Sequence, residues 1–126
     1  MIIKPEGAGI ITVDWLNGLE IMVIKTRKQF ISFIEAAGKD VAELCSDWDE
    51  CNGSVSRIML DGSAYFVMIF PKPSRRVLVH EAVHVVHCIM ENKGMQTGHE
   101  NTEVVAYMVD FVSSRLFEMF PRISNK

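Results

Sequence analysis

The sequence predicts an α+β fold: a small, mainly antiparallel sheet of two hairpins, a helix backing it, and two long helices after it. Two observations carry this prediction. Two pairs of apolar, β-branched runs are each split by a turn dipeptide, Asn17-Gly18 and Asp61-Gly62. Three stretches of helical apolar spacing stand between and after them, each opened by a Ser or Thr that can cap a helix. The 126 residues, 48% hydrophobic, fit one domain with a compact core. No repeat, low-complexity segment or linker divides the chain.

The elements follow in order. Ile10 to Leu16 and Leu19 to Ile24 read as strands joined at Asn17-Gly18, where both positions favour positive φ. Thr26-Arg27-Lys28-Gln29 has capping-box spacing, and Phe30, Ile31, Ile34 and Ala37 form an apolar stripe that ends at Gly38. Asp40 to Glu43 repeats the box, so a shorter helix is expected to run toward Trp48. Val55 to Leu60 and Ser63 to Phe70 form the second hairpin, stopped by Pro71 and Pro73. Ser74 is the expected N-cap of a helix over 75–92, closed by Gly94. The last helix is expected from the box at Thr97-Gly98-His99-Glu100 to Phe120, ended by Pro121.

Bulk properties exclude several classes of function. The net charge of −3 argues against nucleic acid as a partner, because phosphate binding needs clustered Lys and Arg. The two short basic clusters read as solvated helix starts. No apolar run reaches the ~20 residues that cross a bilayer, so no membrane partner is expected. The N-terminus lacks the pattern of a cleavable signal. Three cysteines in no C-x-x-C pair suit a reducing cytosol, so a cytoplasmic location is expected. The eight methionines read as adaptable core packing.

The chemistry lies in Val79-His80-Glu81-Ala82-Val83-His84-Val85-Val86, an H-E-x-x-H motif inside a helical run. Histidines four apart stand one above the other on a helix, so both imidazoles can reach one zinc ion. Glu81 stands beside them to handle protons. Val77, Leu78, Val79, Ala82, Val83, Val85, Val86, Ile89 and Met90 cover most of the helix and leave one polar stripe. Arg76, His80, His84, His87 and Glu91 form the stripe, with Glu81 and Cys88 at its margin. An ordinary solvent face would carry Lys, Glu and Gln rather than three histidines.

A catalytic zinc needs a third protein ligand and an open position. Glu103, nineteen residues after His84, is the expected third ligand. It opens Glu103-Val104-Val105-Ala106-Tyr107, where Ala106 would let two helices approach closely. Its neighbours are Val, Met and Phe, among which a lone carboxylate would be costly. His87 is two turns from His80, about 10 Å along the axis, and cannot close the same tetrahedron. Cys51, Cys88 and His99 are weaker candidates, read as packing for the cysteines and a rim group for His99.

With these residues the chain resembles the zincin metallopeptidases, in the gluzincin arrangement of H-E-x-x-H followed by a glutamate on the next helix. It is also similar to small phage- and prophage-encoded metallopeptidases in which an HEAVH-type helix precedes an E-x-x-A-Y helix. His80, Glu81, His84, Glu103, Ala106 and Tyr107 carry the resemblance, and the element order over roughly 26–120 agrees with a minimal zincin core. It departs from the metzincin extension, since His87 and Met90 replace the expected Gly and His. It departs from the thermolysin-type pattern, since Tyr107 stands where an Asp follows the ligand glutamate. The zinc deaminase pattern is absent. Glu50-Cys51-Asn52-Gly53 is only partly similar to the deformylase cysteine motif.

The resemblance implies a zinc-dependent metallopeptidase of the bacterial or phage-infected cytoplasm acting on a peptide or protein substrate. Zn²⁺ is the expected ion, and other divalent metals fit the same donors. His80, His84 and Glu103 would hold it, and Glu81 would act as general base. Tyr107, Tyr65 or His99 would donate to the oxyanion, with Tyr107 preferred. A strand of the second hairpin would offer an edge to an extended peptide. A short connection predicts that the two long helices run antiparallel, with Asp110 near Arg75 or Arg76 and His87 toward the 97–100 end. Three alternatives stay open: a zinc-binding phage accessory protein without turnover, another amide metallohydrolase, and a dormant protease that needs a partner.

Overall fold

A computed structural model of the chain describes residues 4–37, 48–60, 62–95 and 101–123. It is an α+β protein of two compact units, Met1–Lys72 and Pro73–Lys126. The first unit holds β1 (Gly9–Val13), β2 (Leu19–Ile24), α1 (Arg27–Ala37), β3 (Ser54–Leu60) and β4 (Ser63–Ile69). The second holds α2 (Arg75–Asn92) and α3 (Thr102–Met119).

Both expected hairpins form, and they meet through a parallel pair. The strand order is β1-β2-β4-β3, with β2 beside β4 from Ile21↔Phe66 to Ile24↔Ile69. The sheet is therefore mixed, although β1–β2 and β3–β4 are antiparallel. Ile21 to Ile24 and Phe66 to Ile69 are buried at every position. Continuous apolar runs, rather than alternation, mark central strands covered on both faces.

The first turn differs from its sequence reading. The register Val13↔Leu19 leaves 14–18 outside the ladder, and Asp14–Leu16 turn into a 3-10 helix. Asn17 (φ 59°) and Gly18 (φ 73°) do adopt positive φ. Asn17 caps that 3-10 turn in the left-handed region, so the dipeptide ends a five-residue loop rather than making a two-residue one. In the second hairpin the register Leu60↔Ser63 leaves only two residues to turn the chain, with Gly62 at φ 80°. Asp61 lies outside the described residues.

The helix α1 covers one face of the sheet. Phe30 and Phe33 join Met22, Ile24, Ile58, Val67, Ile69 and Trp48 in one buried cluster. Ile34 and Ala37 pack on it as expected, but Ile31 is 44% exposed and Phe33 takes the buried place. The helix opens with Thr26 Oγ1 accepting from the Gln29 N–H at 3.2 Å. The Gln29 amide oxygen accepts from the Lys25 N–H at 2.8 Å, one residue before the position a reciprocal box would use. The helix expected from the box at 40–43 toward Trp48 falls outside the described residues. The described residues resume with a 3-10 turn, Trp48–Glu50, whose Trp48 ring lies 5.5 Å from that of Phe30.

In the second unit α2 has the bounds its sequence predicts. Ser74 Oγ accepts from the Val77 N–H at 3.2 Å. At the other end the Met95 N–H donates to the Met90 carbonyl and the Gly94 N–H to that of Glu91, with Gly94 at φ 73°. These two bonds form a Schellman motif and satisfy carbonyls the helix would otherwise leave open. α3 packs against α2, and its Met108, Val112 and Leu116 are buried. The box expected at 97–100 lies outside the described residues. On α3 the Ser113 hydroxyl is buried with no hydrogen-bond partner among the described residues. We expect Ser113→Ala to raise stability by about 1 kcal/mol, from relief of an unpaired polar group and better helix propensity. A higher urea midpoint checks this, and a lower one would show that the hydroxyl has a partner in solution.

Candidate metal centre

The site belongs to α2. The stripe predicted from spacing is exposed at every position: Arg76, His80, His84, His87 and Glu91. The opposite side, including Leu78, Ala82, Val85, Val86, Ile89 and Met90, is buried. Burial of that face fixes the helix rotation and turns the histidines outward.

His80 and His84 come together. Their Nε2 atoms are 3.2 Å apart, with ring centroids at 4.8 Å and planes at 70°. Two nitrogens on one tetrahedral zinc, each about 2.05 Å from it, would stand roughly 3.3 Å apart. The spacing therefore suits two donors on one cation without a change of rotamer. It equally suits one neutral ring donating an N–H to the other.

Glu81 differs from both. It is 7% exposed, because a step of about 100° from His80 carries it to the margin of the buried face. Its Oε2 remains 3.8 Å from His80 Nε2. A carboxylate held against apolar packing and one imidazole has few places to go. The structure thus gathers two imidazole donors and one confined carboxylate within a single turn.

Glu103 is not part of that gathering. Among the described residues no group of three His, Cys, Asp or Glu side chains is placed to hold a metal ion. Glu103 is exposed in the first turn of α3, so the costly apolar surroundings expected for it do not occur. In that turn a carboxylate also complements the helix dipole. Ala106 is exposed as well and does not line a close helix approach.

The helices do run antiparallel, with a different level from the one expected. Arg75 near the start of α2 lies over the ring of Phe117 near the end of α3, 4.5 Å from its centroid. Asp110, the expected neighbour, is exposed seven residues earlier and makes no ion pair among the described residues. From that anchor His84, nine residues along α2, lies level with about Met108, nine residues back along α3. Glu103 is then five residues farther, roughly 7.5 Å along the axis. Tyr107 falls near the level of His84 and is 63% exposed.

The remaining candidates separate. Cys51 packs against the α1 cluster of the first unit. Cys88 is half-buried on α2 and His87 is exposed. Tyr65 is half-buried on β4, and His99 lies outside the described residues. Sequence reading assigned Val79 and Val83 to the apolar cover of α2. They are instead 38% and 37% exposed, each one residue before a histidine of the pair. The signal that could have found them is angular: they lie at the edge of the apolar arc, next to the stripe. No helix of the described residues is long and apolar enough to cross a membrane. No family model, curated protein or solved structure matches the chain.

Proposed function

We propose that this chain is a zinc-dependent metallopeptidase of zincin-like organisation that hydrolyses peptide bonds in protein segments. The observation that carries the proposal is the 3.2 Å spacing of His80 and His84 Nε2 beside the confined Glu81 carboxylate. His80 and His84 would hold the ion. Glu103, which does not stand with the pair in this structure, would have to come within reach of the ion to complete the donor set. A bound divalent ion supplies Lewis acidity that brings the pKa of a water toward neutrality.

The residues supply the rest of the chemistry. Glu81 takes a proton from the attacking water and passes it to the leaving amine. Tyr107 offers a hydroxyl to the developing oxyanion from the level of His84. The histidine pair lies on an open helix face, with the His80 side chain 67% exposed. A small amide would find little enclosure there, so an extended protein segment is the better-fitting substrate. A cytoplasmic site of action, in a bacterial host of a phage, belongs to the same proposal.

The decisive measurement is metal content. Wild-type protein at saturating zinc is expected to retain one ion per chain after dialysis, and His80→Ala to lose it through an affinity drop of about 100-fold or more. The zinc-loaded wild type is then expected to cleave an unfolded protein substrate. Equal metal in both proteins, or no cleavage by a loaded wild type, would overturn the reading. That no third donor is gathered among the described residues favours a second reading, in which zinc joins the chain to a partner without turnover.

A further inference from the structure

The His80–His84 pair is half of a tetrahedral site, and the other half is absent from the described part of the chain. Its Nε2–Nε2 distance of 3.2 Å matches one edge of a zinc tetrahedron, roughly 3.3 Å. A tetrahedron has a second edge opposite the first and perpendicular to it. No third described donor stands ready to occupy that edge. Both rings are exposed, and the neutral imidazole is a good zinc ligand.

We propose that a second copy of this chain supplies the opposite edge, so that zinc joins two α2 helices through four histidines, His80 and His84 from each. This rests on the reading of the pair as a zinc site, and it adds a means of control. A zinc with four protein ligands is closed and structural, whereas three ligands and a water make an active centre. The dimer is therefore the inactive form, and the monomer completed by Glu103 is the active one.

Three further features of α2 fit this occupant. The two donor pairs lie roughly along their helix axes, so perpendicular edges make the helices cross near a right angle. Such a crossing confines contact to the residues around the histidines. Those residues are Val79 and Val83, partly exposed and uncharged. Arg76 and Glu91, the charged members of the stripe, lie one turn or more from the pair and away from the crossing point. Apart from the Glu81 carboxylate, 3.8 Å from His80 Nε2, no charged member of the stripe stands at the crossing point, so little like-charge repulsion opposes the meeting of the helices over a dication. Glu81, with 10% of its side chain exposed, is not needed for the join.

The test is mass and stoichiometry, read independently of turnover. Chain at high concentration is titrated with zinc and followed by sedimentation or light scattering. At about half an equivalent of zinc the mass should double from 14.3 kDa, and a chelator should return it. Excess zinc at low protein concentration should restore the monomer with one ion per chain. His80→Ala and His84→Ala should each abolish the doubling, and both are exposed positions where folding is not at risk. Glu103→Gln should leave the doubling intact while removing hydrolysis. A mass that stays monomeric throughout, or that doubles in the histidine variants, overturns the inference. Loss of hydrolysis in a monomer that still binds zinc through Glu103 would instead count against the catalytic proposal alone.

Discussion

Glu81→Gln is expected to abolish hydrolysis and leave zinc in place. Glutamine has nearly the shape of glutamate, so the packing of a residue only 7% exposed is kept. What is lost is the ability to accept a proton. General-base catalysis contributes about 10²–10⁴-fold, and a loss of that size in kcat is the expected result. The histidines are untouched, so metal content should match wild type. The two readouts separate the roles cleanly. A variant that loses zinc would make Glu81 part of the binding set, and one that keeps turnover within a few-fold would remove it from the chemistry.

The second large effect is on stability. Phe33 is 1% exposed at the centre of the cluster between α1 and the sheet. Truncation to alanine removes its burial and leaves a cavity, at about 3–5 kcal/mol. Whole domains are stable by only about 5–15 kcal/mol, so the first unit should be close to unfolding. Ile31→Ala, at a position 44% exposed, should change stability by no more than about 0.5 kcal/mol. Urea midpoints for the two variants check this. Equal effects would mean that α1 presents a different face to the sheet in solution.

That pair of residues also shows where sequence reading succeeds and fails. The existence of α1 follows from Thr26 and from the period of its apolar residues. Its rotation does not, because Ile31 and Phe33 both lie near the edge of the apolar arc, and the sheet decides between them. The bounds of α2 were legible because Ser74 and Gly94 act locally, through bonds within a few residues. The outward histidine stripe was legible for a related reason: two sides of α2 differ too strongly in polarity to be exchanged.

The parallel pairing was not legible, since a hairpin motif specifies its own two strands and nothing about which edges meet. The loop after β1 was misjudged because Asn17-Gly18 can close a 3-10 turn as readily as a tight hairpin. Tertiary placement of Glu103 was the hardest reading. A motif of the form E-x-x-A-Y only names a candidate donor, while the level of α3 against α2 is set by contacts such as Arg75 with Phe117.

The β2–β4 pairing has a kinetic consequence. Each hairpin can zip from its own turn, with partners close in sequence. Ile21 and Phe66, in contrast, are forty-five positions apart and must meet across everything between them. Closing so long a stretch of chain costs entropy before any contact repays it. The early species should therefore be two ribbons with an unpaired, oily margin each, and the rate-limiting event their side-by-side capture. Crowded refolding would give that margin time to find a neighbouring molecule instead.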